Sequence, residues 1–123
     1  MIKYGLDHHP PAPVLQVTIS SITNRRLRQT LPALLDTGAD ITAIPEYCLS
    51  ALKLYPVAQL QLEGIQANST TVFIYAVRLA VAELVILRQE VILTSLNFAV
   101  IGRDVLNRLN LHLYGPQLAF EIS

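Results

Sequence analysis

The sequence predicts an all-β domain, and three observations support this fold class. Runs rich in Val, Ile, Thr, Tyr and Phe occupy most of the chain, and these residue types favour strands. Polar or Gly/Pro-containing stretches separate the runs and predict turns. Only two short stretches, residues 46–52 and 104–110, favour helices. With 123 residues, the chain is long enough for one compact domain and too short for two ordinary ones.

The predicted strands follow one another with turn residues between them. They cover residues 14–19, 27–35, 41–44, 57–62, 71–82, 111–114 and 118–122. The first two form a hairpin across the polar stretch 21–26, and the prolines at 10–13 fix an extended entry to it. Residues 57–82 form a long hairpin with a polar tip, and Gly115-Pro116 turns the terminal hairpin.

Two stretches need a closer argument. No glycine or proline interrupts residues 76–93, so a helix is an alternative there. The density of Val, Ile, Tyr and Phe favours two strands buried on both faces, turning near Glu83 or near residues 88–89. Pro45 predicts the start of the helix at 46–52, because the missing N–H of proline would be unpaired in a first helical turn anyway.

The stretch LLDTGAD at positions 34–40 is the strongest functional signal. An apolar run stops at an aspartate, a small hydroxyl residue and a glycine, which is typical of a strand that ends in a tight turn and presents one carboxylate. A second apolar run, AVIGRDVL at positions 99–106, reaches a glycine and turns into a short helix. An Asp-Thr-Gly sequence alone is also ordinary turn chemistry, so the candidate site depends on both stretches.

Together these stretches resemble the retropepsin-like aspartic proteases, and the resemblance extends from about Val14 to the C-terminus. The family pattern has an apolar pair before Asp-Thr-Gly-Ala and, near the C-terminus, two apolar residues and a glycine followed by Arg-Asp or Arg-Asn. The resemblance implies a closed β-barrel with one or two short helices. Residues 1–123 would form one protease domain, with an N-terminal segment at 1–13. The Gly-Arg-Asp ending and the Gly-Pro hairpin look more like bacterial members.

The resemblance also implies an aspartic endopeptidase that acts as a symmetric homodimer. Pepsin-like enzymes carry two Asp-Thr/Ser-Gly motifs in one chain, whereas this chain carries one. Asp36 of each subunit would supply one of the two catalytic carboxylates, and a peptide or protein would be the substrate. In relatives, the chain termini pair across the dimer axis as an interface sheet.

The other site residues are implied by the same resemblance. Thr37, Gly102 and Arg103 would support the active-site loop, and Arg103 would hold Asp40 in a bidentate contact. The tip of the long hairpin would be the flap that folds over the substrate. The implied substrate-binding residues are Gly38, Ala39, Asp40, Gly64, Ile65 and Gln66.

Two further expectations concern specificity and pH. An apolar lining at Ile41, Ile65, Val100 and Ile101 predicts a preference for hydrophobic side chains around the cleaved bond. Ala39 occupies a position where pepsin-like enzymes often have serine, and the loss of that hydroxyl donor favours the protonated form of the nearby carboxylates. We therefore expect an activity optimum nearer weak acid than strong acid.

Composition argues against several other classes. The formal net charge is zero, so no long-range field attracts nucleic acid or a membrane surface, and Arg25, Arg26 and Arg28 are interpreted as solvated charge at a hairpin tip. The histidines lack metal-ligand spacing, and we expect neither a metal nor another cofactor. Charged residues interrupt the longest apolar region, residues 72–93, which argues against a transmembrane helix. The single cysteine, Cys48, and the absence of a signal-like segment favour a cytoplasmic protein.

Two alternatives stay open. The first is the same dimer without catalytic activity, which would hold a peptide or serve as an assembly module; the single glycine of the flap stretch, Gly64, favours it. The second is a protease domain cut from a longer polyprotein or membrane-anchored parent, with the proline-rich start as a linker.

Overall fold

The computed structural model describes the backbone of residues 1–63 and 69–123. It describes the side chains of residues 1–61 and 70–123. The strands of the described chain are β1 Ile2–Lys3, β2 Val14–Ser20, β3 Arg28–Leu35, β4 Ala43–Pro45, β5 Ala58–Glu63, β6 Ser69–Val81, β7 Leu84–Thr94, β8 Ala99–Ile101, β9 Leu111–Tyr114 and β10 Ala119–Ile122. The helices are α1 Cys48–Ala51 and α2 Arg103–Leu106, and a 3₁₀ turn covers Gly115–Gln117.

Six strands close into a barrel in the order β2, β3, β8, β4, β7 and β6, because β6 also pairs back onto β2. The length of β6 makes this closure possible. Its first half, up to Ile74, pairs with β5 in a hairpin that projects from the barrel, whereas residues 78–80 pair with β2. The closed all-β fold predicted from the sequence is therefore confirmed.

Strand alternation explains why the barrel has an apolar interior. Successive side chains of a strand point to opposite faces, so Val17 and Ile19 of β2 lie inside, as do Val77, Leu79 and Val81 of β6. Helix α1 adds the fully buried Cys48 to this core, as the sequence predicts for a small apolar side chain. Complete burial of a side chain such as that of Ile19 contributes about 1.5–3 kcal/mol.

The chain termini meet in a second, three-stranded antiparallel sheet with the order β1, β10, β9. Phe120 of β10 is fully buried in the core and packs against Tyr4, with ring centroids 6.2 Å apart. On the exposed parts of this unit lie Ile2, Leu113 and Leu118. Within one chain, the two termini thus already pair with each other.

Three local predictions can be compared with the observed elements. The two-strand interpretation of residues 76–93 is confirmed, with a turn at Ala82 and Glu83, and the helix alternative is wrong. The expectation that both faces are buried is wrong, because Val85 and Leu87 of β7 are exposed. The prediction that Pro45 begins a helix is also wrong. Pro45 ends β4 and pairs with Thr94 of β7, and the next backbone N–H, that of Glu46, donates to the Thr94 carbonyl at 3.0 Å. Pairing with β7 extends the strand through the proline, which is tolerated where a strand ends.

Helix α2 occupies Arg103–Leu106 and is shorter than the predicted 104–110. In the described part of the chain, no helix combines the length and the apolar character needed to cross a membrane.

Candidate active site

Asp36 lies at the point where β3 leaves the barrel. Its backbone N–H donates to the carbonyl of Ile101 at 2.9 Å, and this bond continues the parallel pairing of β3 with β8. On the other side of β3, the N–H of Leu35 donates to the Pro13 carbonyl at 3.0 Å. The backbone at Asp36 is therefore fixed by segments from two distant parts of the sequence.

The residues after Asp36 form a tight turn that holds its carboxylate. The Gly38 N–H donates to Asp36 Oδ1 at 2.9 Å, and the Ala39 N–H donates to the Asp36 carbonyl at 3.2 Å. Asp36 is half-buried, whereas Thr37 and Gly38 are exposed. The turn therefore orients one carboxylate and leaves it accessible from outside the barrel.

Arg103 ties this turn to the start of α2. Its guanidinium donates through one nitrogen to the Thr37 carbonyl at 2.7 Å and through the other to Asp40 Oδ1, while its backbone N–H donates to the Ala39 carbonyl at 2.9 Å. The predicted Arg103–Asp40 contact is thus present, but it is not bidentate. Only one guanidinium nitrogen donates to Asp40, because the other donates to the Thr37 carbonyl.

A network around Thr42 and Asp104 lies beneath this turn, and the sequence reasoning missed it. The Thr42 hydroxyl donates to Asp104 Oδ1 at 2.7 Å and accepts the Gly102 N–H at 3.1 Å. The Thr42 backbone N–H donates to Asp104 Oδ2 at 3.0 Å, and the Gln89 amide donates to the same oxygen at 3.2 Å. Thr42 is completely buried. The signal for this network in the sequence was Thr42, a polar residue inside the apolar stretch 41–44.

Gly102 is required by the close approach of two backbone segments. A Cβ placed on Gly102 would lie 2.9 Å from the Ala39 carbonyl oxygen and 3.0 Å from the Ile41 carbonyl carbon. Any larger residue would therefore separate the two loops that form the candidate site.

The structure brings together most of the residues that the sequence predicted for the site. The assembled set is Asp36, Thr37, Gly38, Ala39, Asp40, Gly102 and Arg103. Gly64, Ile65 and Gln66, the predicted flap tip, lie outside the described residues. The expectation that Ile101 lines the substrate cleft is wrong, because Ile101 is completely buried in the barrel core.

A closed barrel of one short chain, with an Asp-Thr-Gly turn braced by an arginine at the start of a helix, defines the single-domain class of aspartic protease folds. The family model described as retroviral aspartyl protease matches residues 9–114. This chain therefore belongs to the retroviral aspartyl protease family.

Solved structures support the same fold. The solution structure of simian foamy virus (mac) protease superposes with a TM-score of 0.60 and 19% identity, covering 76% of this chain and 91% of that one. EIAV protease complexed with an inhibitor gives a TM-score of 0.56 and 23% identity, covering 87% and 93%. The structure of the foamy viral protease-reverse transcriptase in complex with an RNA/DNA hybrid superposes with a TM-score of 0.54 and 22% identity. The match covers 78% of this chain and 12% of that chain. A search of curated proteins finds no match.

Proposed function

We propose that this protein is an aspartic endopeptidase whose active site forms from the Asp36 residues of two identical chains. The observation that carries the proposal is the Asp36 turn itself. It holds an accessible carboxylate on a rigid backbone, in a chain of the retroviral aspartyl protease family. Because the chain contains a single Asp-Thr-Gly sequence, a second copy must supply the other carboxylate.

The chemistry explains why two carboxylates are needed. Hydrolysis of a peptide bond requires one group to take a proton from water and another to donate a proton to the substrate. Aspartic proteases are the established case in which two carboxylates about 3 Å apart share one proton, because both cannot be ionised at that separation. The ionised Asp36 activates the water, and the protonated Asp36 of the other subunit donates a hydrogen bond to the scissile carbonyl.

Residues of the turn and the flap complete the proposed site. The exposed Thr37 hydroxyl bonds across the two-fold axis and joins the two turns. Gly38, Ala39 and Asp40 bind the backbone of an extended substrate, and Gly64, Ile65 and Gln66 are the further substrate-binding residues of the proposal. Strand-like binding of this kind uses main-chain hydrogen bonds for affinity and side-chain pockets for specificity.

The sheet formed by the chain termini is the proposed dimer surface. The exposed apolar side chains of Ile2 and Leu113 in this sheet, and of Leu118 just before β10, favour burial against a second copy. A two-fold interface places the same surface on both subunits, so the sheet of one chain extends or packs against the sheet of the other.

Cleavage of a diverse peptide library by wild-type protein and by Asp36→Asn tests the proposal. The substitution keeps the size of the side chain and removes its ability to ionise, so we expect activity to vanish while the fold and the dimer persist. At low enzyme concentration, wild-type activity should rise faster than linearly with concentration, because two chains form one site.

The same assay, run over a range of pH, tests the expectation for Ala39. The optimum should lie in weak acid, and a rate profile that peaks near about pH 3 would contradict it. If neither protein cleaves any peptide while both remain folded dimers, the proposal of catalysis is wrong. A peptide-binding module is then the better description. Retention of full activity by Asp36→Asn would exclude the dyad.

A further inference from the structure

Two arginines, Arg28 and Arg78, lie on either side of Ser20 at the end of the barrel opposite to Asp36. Ser20 of β2 pairs with Arg28 of β3 on one side and with Arg78 of β6 on the other. Directly paired residues of antiparallel strands share one face of a sheet. Since the neighbouring Ile19 points into the core, this row belongs to the outer face, where Arg28 is exposed, Arg78 is half-buried and Ser20 is buried.

These side chains line a groove with a volume of about 270 Å³. We call it the arginine groove, and its lining residues are Thr18, Ser20, Arg25, Arg28, Arg78 and Ala80. Small side chains form the floor, and arginines form the walls. An adjoining depression is lined by Arg25, Arg26 and Arg28, so the positive charge continues onto the hairpin tip.

The charge of the groove is not neutralised by an ion pair among the described side chains. The ion pairs in that part of the chain are Arg88–Glu90 and Arg103–Asp40. The β6–β7 pairing shifts register between Val77 and Leu79, which leaves Leu87 and Arg88 of β7 near Arg78. The Glu90 carboxylate binds Arg88 at 3.3 Å. Four of the nine basic residues of a chain with zero net charge therefore concentrate in one place.

The spacing of the walls leaves room for an anion. Arg28 and Arg78 lie on strands separated by one intervening strand, so their backbones are roughly 10 Å apart. An anion between the two guanidinium groups would receive hydrogen bonds from both and would relieve their repulsion. Guanidinium groups match phosphate in geometry and form short, charge-assisted hydrogen bonds with it.

We propose that the arginine groove binds a phosphate group. The hydroxyls of Thr18 and Ser20 on its floor are further donors for phosphate oxygens. None of the six lining residues is aromatic, so the groove recognises phosphate rather than the face of a base. The phosphate belongs either to a small phosphorylated compound or to a nucleic-acid backbone. Because the eight residues of β3 separate the groove from Asp36 by roughly 25 Å, the proposal does not depend on protease activity.

Calorimetric titration with inorganic pyrophosphate and with a short single-stranded oligonucleotide tests the proposal. Saturable binding should weaken about tenfold or more in Arg78→Gln and in Arg28→Gln, since each removes a charge-assisted bond. Arg108→Gln is the matched control, because it removes the same charge from an exposed position beyond α2. It should bind as wild type does.

The pattern of binding identifies the source of the phosphate. Pyrophosphate binding without oligonucleotide binding indicates a small ligand, whereas tighter oligonucleotide binding with the same arginine dependence indicates a nucleic-acid backbone. Failure of both probes to bind saturably overturns the proposal, as does an equal loss in Arg108→Gln. Thermal melting verifies that Arg78→Gln folds, and the exposed Arg28 provides a second variant if it does not.

Discussion

Thr42 and Asp104 are 62 positions apart in the sequence, and two hydrogen bonds join them. The threonine hydroxyl donates to Oδ1 at 2.7 Å, and the threonine N–H donates to Oδ2 at 3.0 Å. The same hydroxyl accepts the Gly102 N–H at 3.1 Å. This buried threonine therefore fastens the segment after the Asp36 turn to the start of α2, and it supports the candidate site from beneath.

Replacement of Thr42 by valine should destabilise the protein strongly. Valine keeps the shape but leaves the buried Gly102 N–H without a partner and removes a hydroxyl donor from Asp104 Oδ1. A buried unpaired group costs about 1–3 kcal/mol. Thr30→Val is the control, because Thr30 is exposed and loses only a hydroxyl contact with Thr18 at 3.0 Å. Urea unfolding should show a much lower midpoint for Thr42→Val alone, and similar midpoints for both variants would contradict the role of the network.

Gly102→Ala should separate the two loops of the site. The added Cβ meets the Ala39 carbonyl oxygen at 2.9 Å and the Ile41 carbonyl carbon at 3.0 Å, and both are backbone atoms that cannot turn away. We expect a loss of about 1–3 kcal/mol in the free energy of unfolding, as for overpacked sites. Gly115→Ala tests the specificity of the effect, since a Cβ there has no neighbour within 4 Å. Equal free energies of unfolding for Gly102→Ala and Gly115→Ala would show that the close backbone approach at Gly102 can accommodate a Cβ.

Arg103→Lys should impair the site without unfolding the protein. The side chains of Arg103 and Asp40 are 45% and 79% exposed, and ion pairs at such positions contribute about 0–1 kcal/mol to stability. Lysine lacks the planar fork that reaches both the Thr37 carbonyl and Asp40, so the turn loses its brace. Peptidase assays should show lower kcat/KM or weaker dimerisation, with a melting temperature near that of wild type. Wild-type activity of Arg103→Lys would show that the contacts of Arg103 with the turn are not needed for activity. Arg108→Lys is the control, because it makes the same substitution at an exposed position outside the candidate site.

Cys48 should make the stability of the fold sensitive to alkaline pH. Burial raises the pKa of its thiol from 9.0 to about 11. The folded protein therefore holds this proton more tightly than the unfolded chain. The associated stability is fully present below about pH 9 and is lost as the pH rises through about 11, by on the order of 2 kcal/mol.

Two measurements check the Cys48 prediction. The difference in the free energy of unfolding between wild type and Cys48→Ala should shrink between pH 9 and 11, and a constant difference would contradict the raised pKa. Alkylation by iodoacetamide at pH 8 should be slow in the folded protein and fast in urea, because the thiolate is the reactive form.

The sequence predicted the fold and the centre of the site because both depend on local patterns. Runs rich in β-branched and other apolar residues are sufficient to indicate strands β2 and β3, and the residues around Asp36 and Arg103 form a distinctive pair of motifs. Thr42 was missed because a strand pattern does not distinguish a threonine that binds a distant aspartate from one that faces solvent. Pro45 was misassigned for a related reason, since its pairing with Thr94 of β7 is a tertiary interaction.

The parallel pairing of β3 with β8 also sets the order in which the molecule is completed during synthesis. The N–H of Asp36 binds the carbonyl of Ile101, so a nascent chain cannot fix the Asp36 turn until residue 101 has left the ribosome. Bringing such distant segments together carries a loop-closure cost and slows folding. The growing polypeptide therefore completes its candidate site only after strands far apart in the sequence have paired.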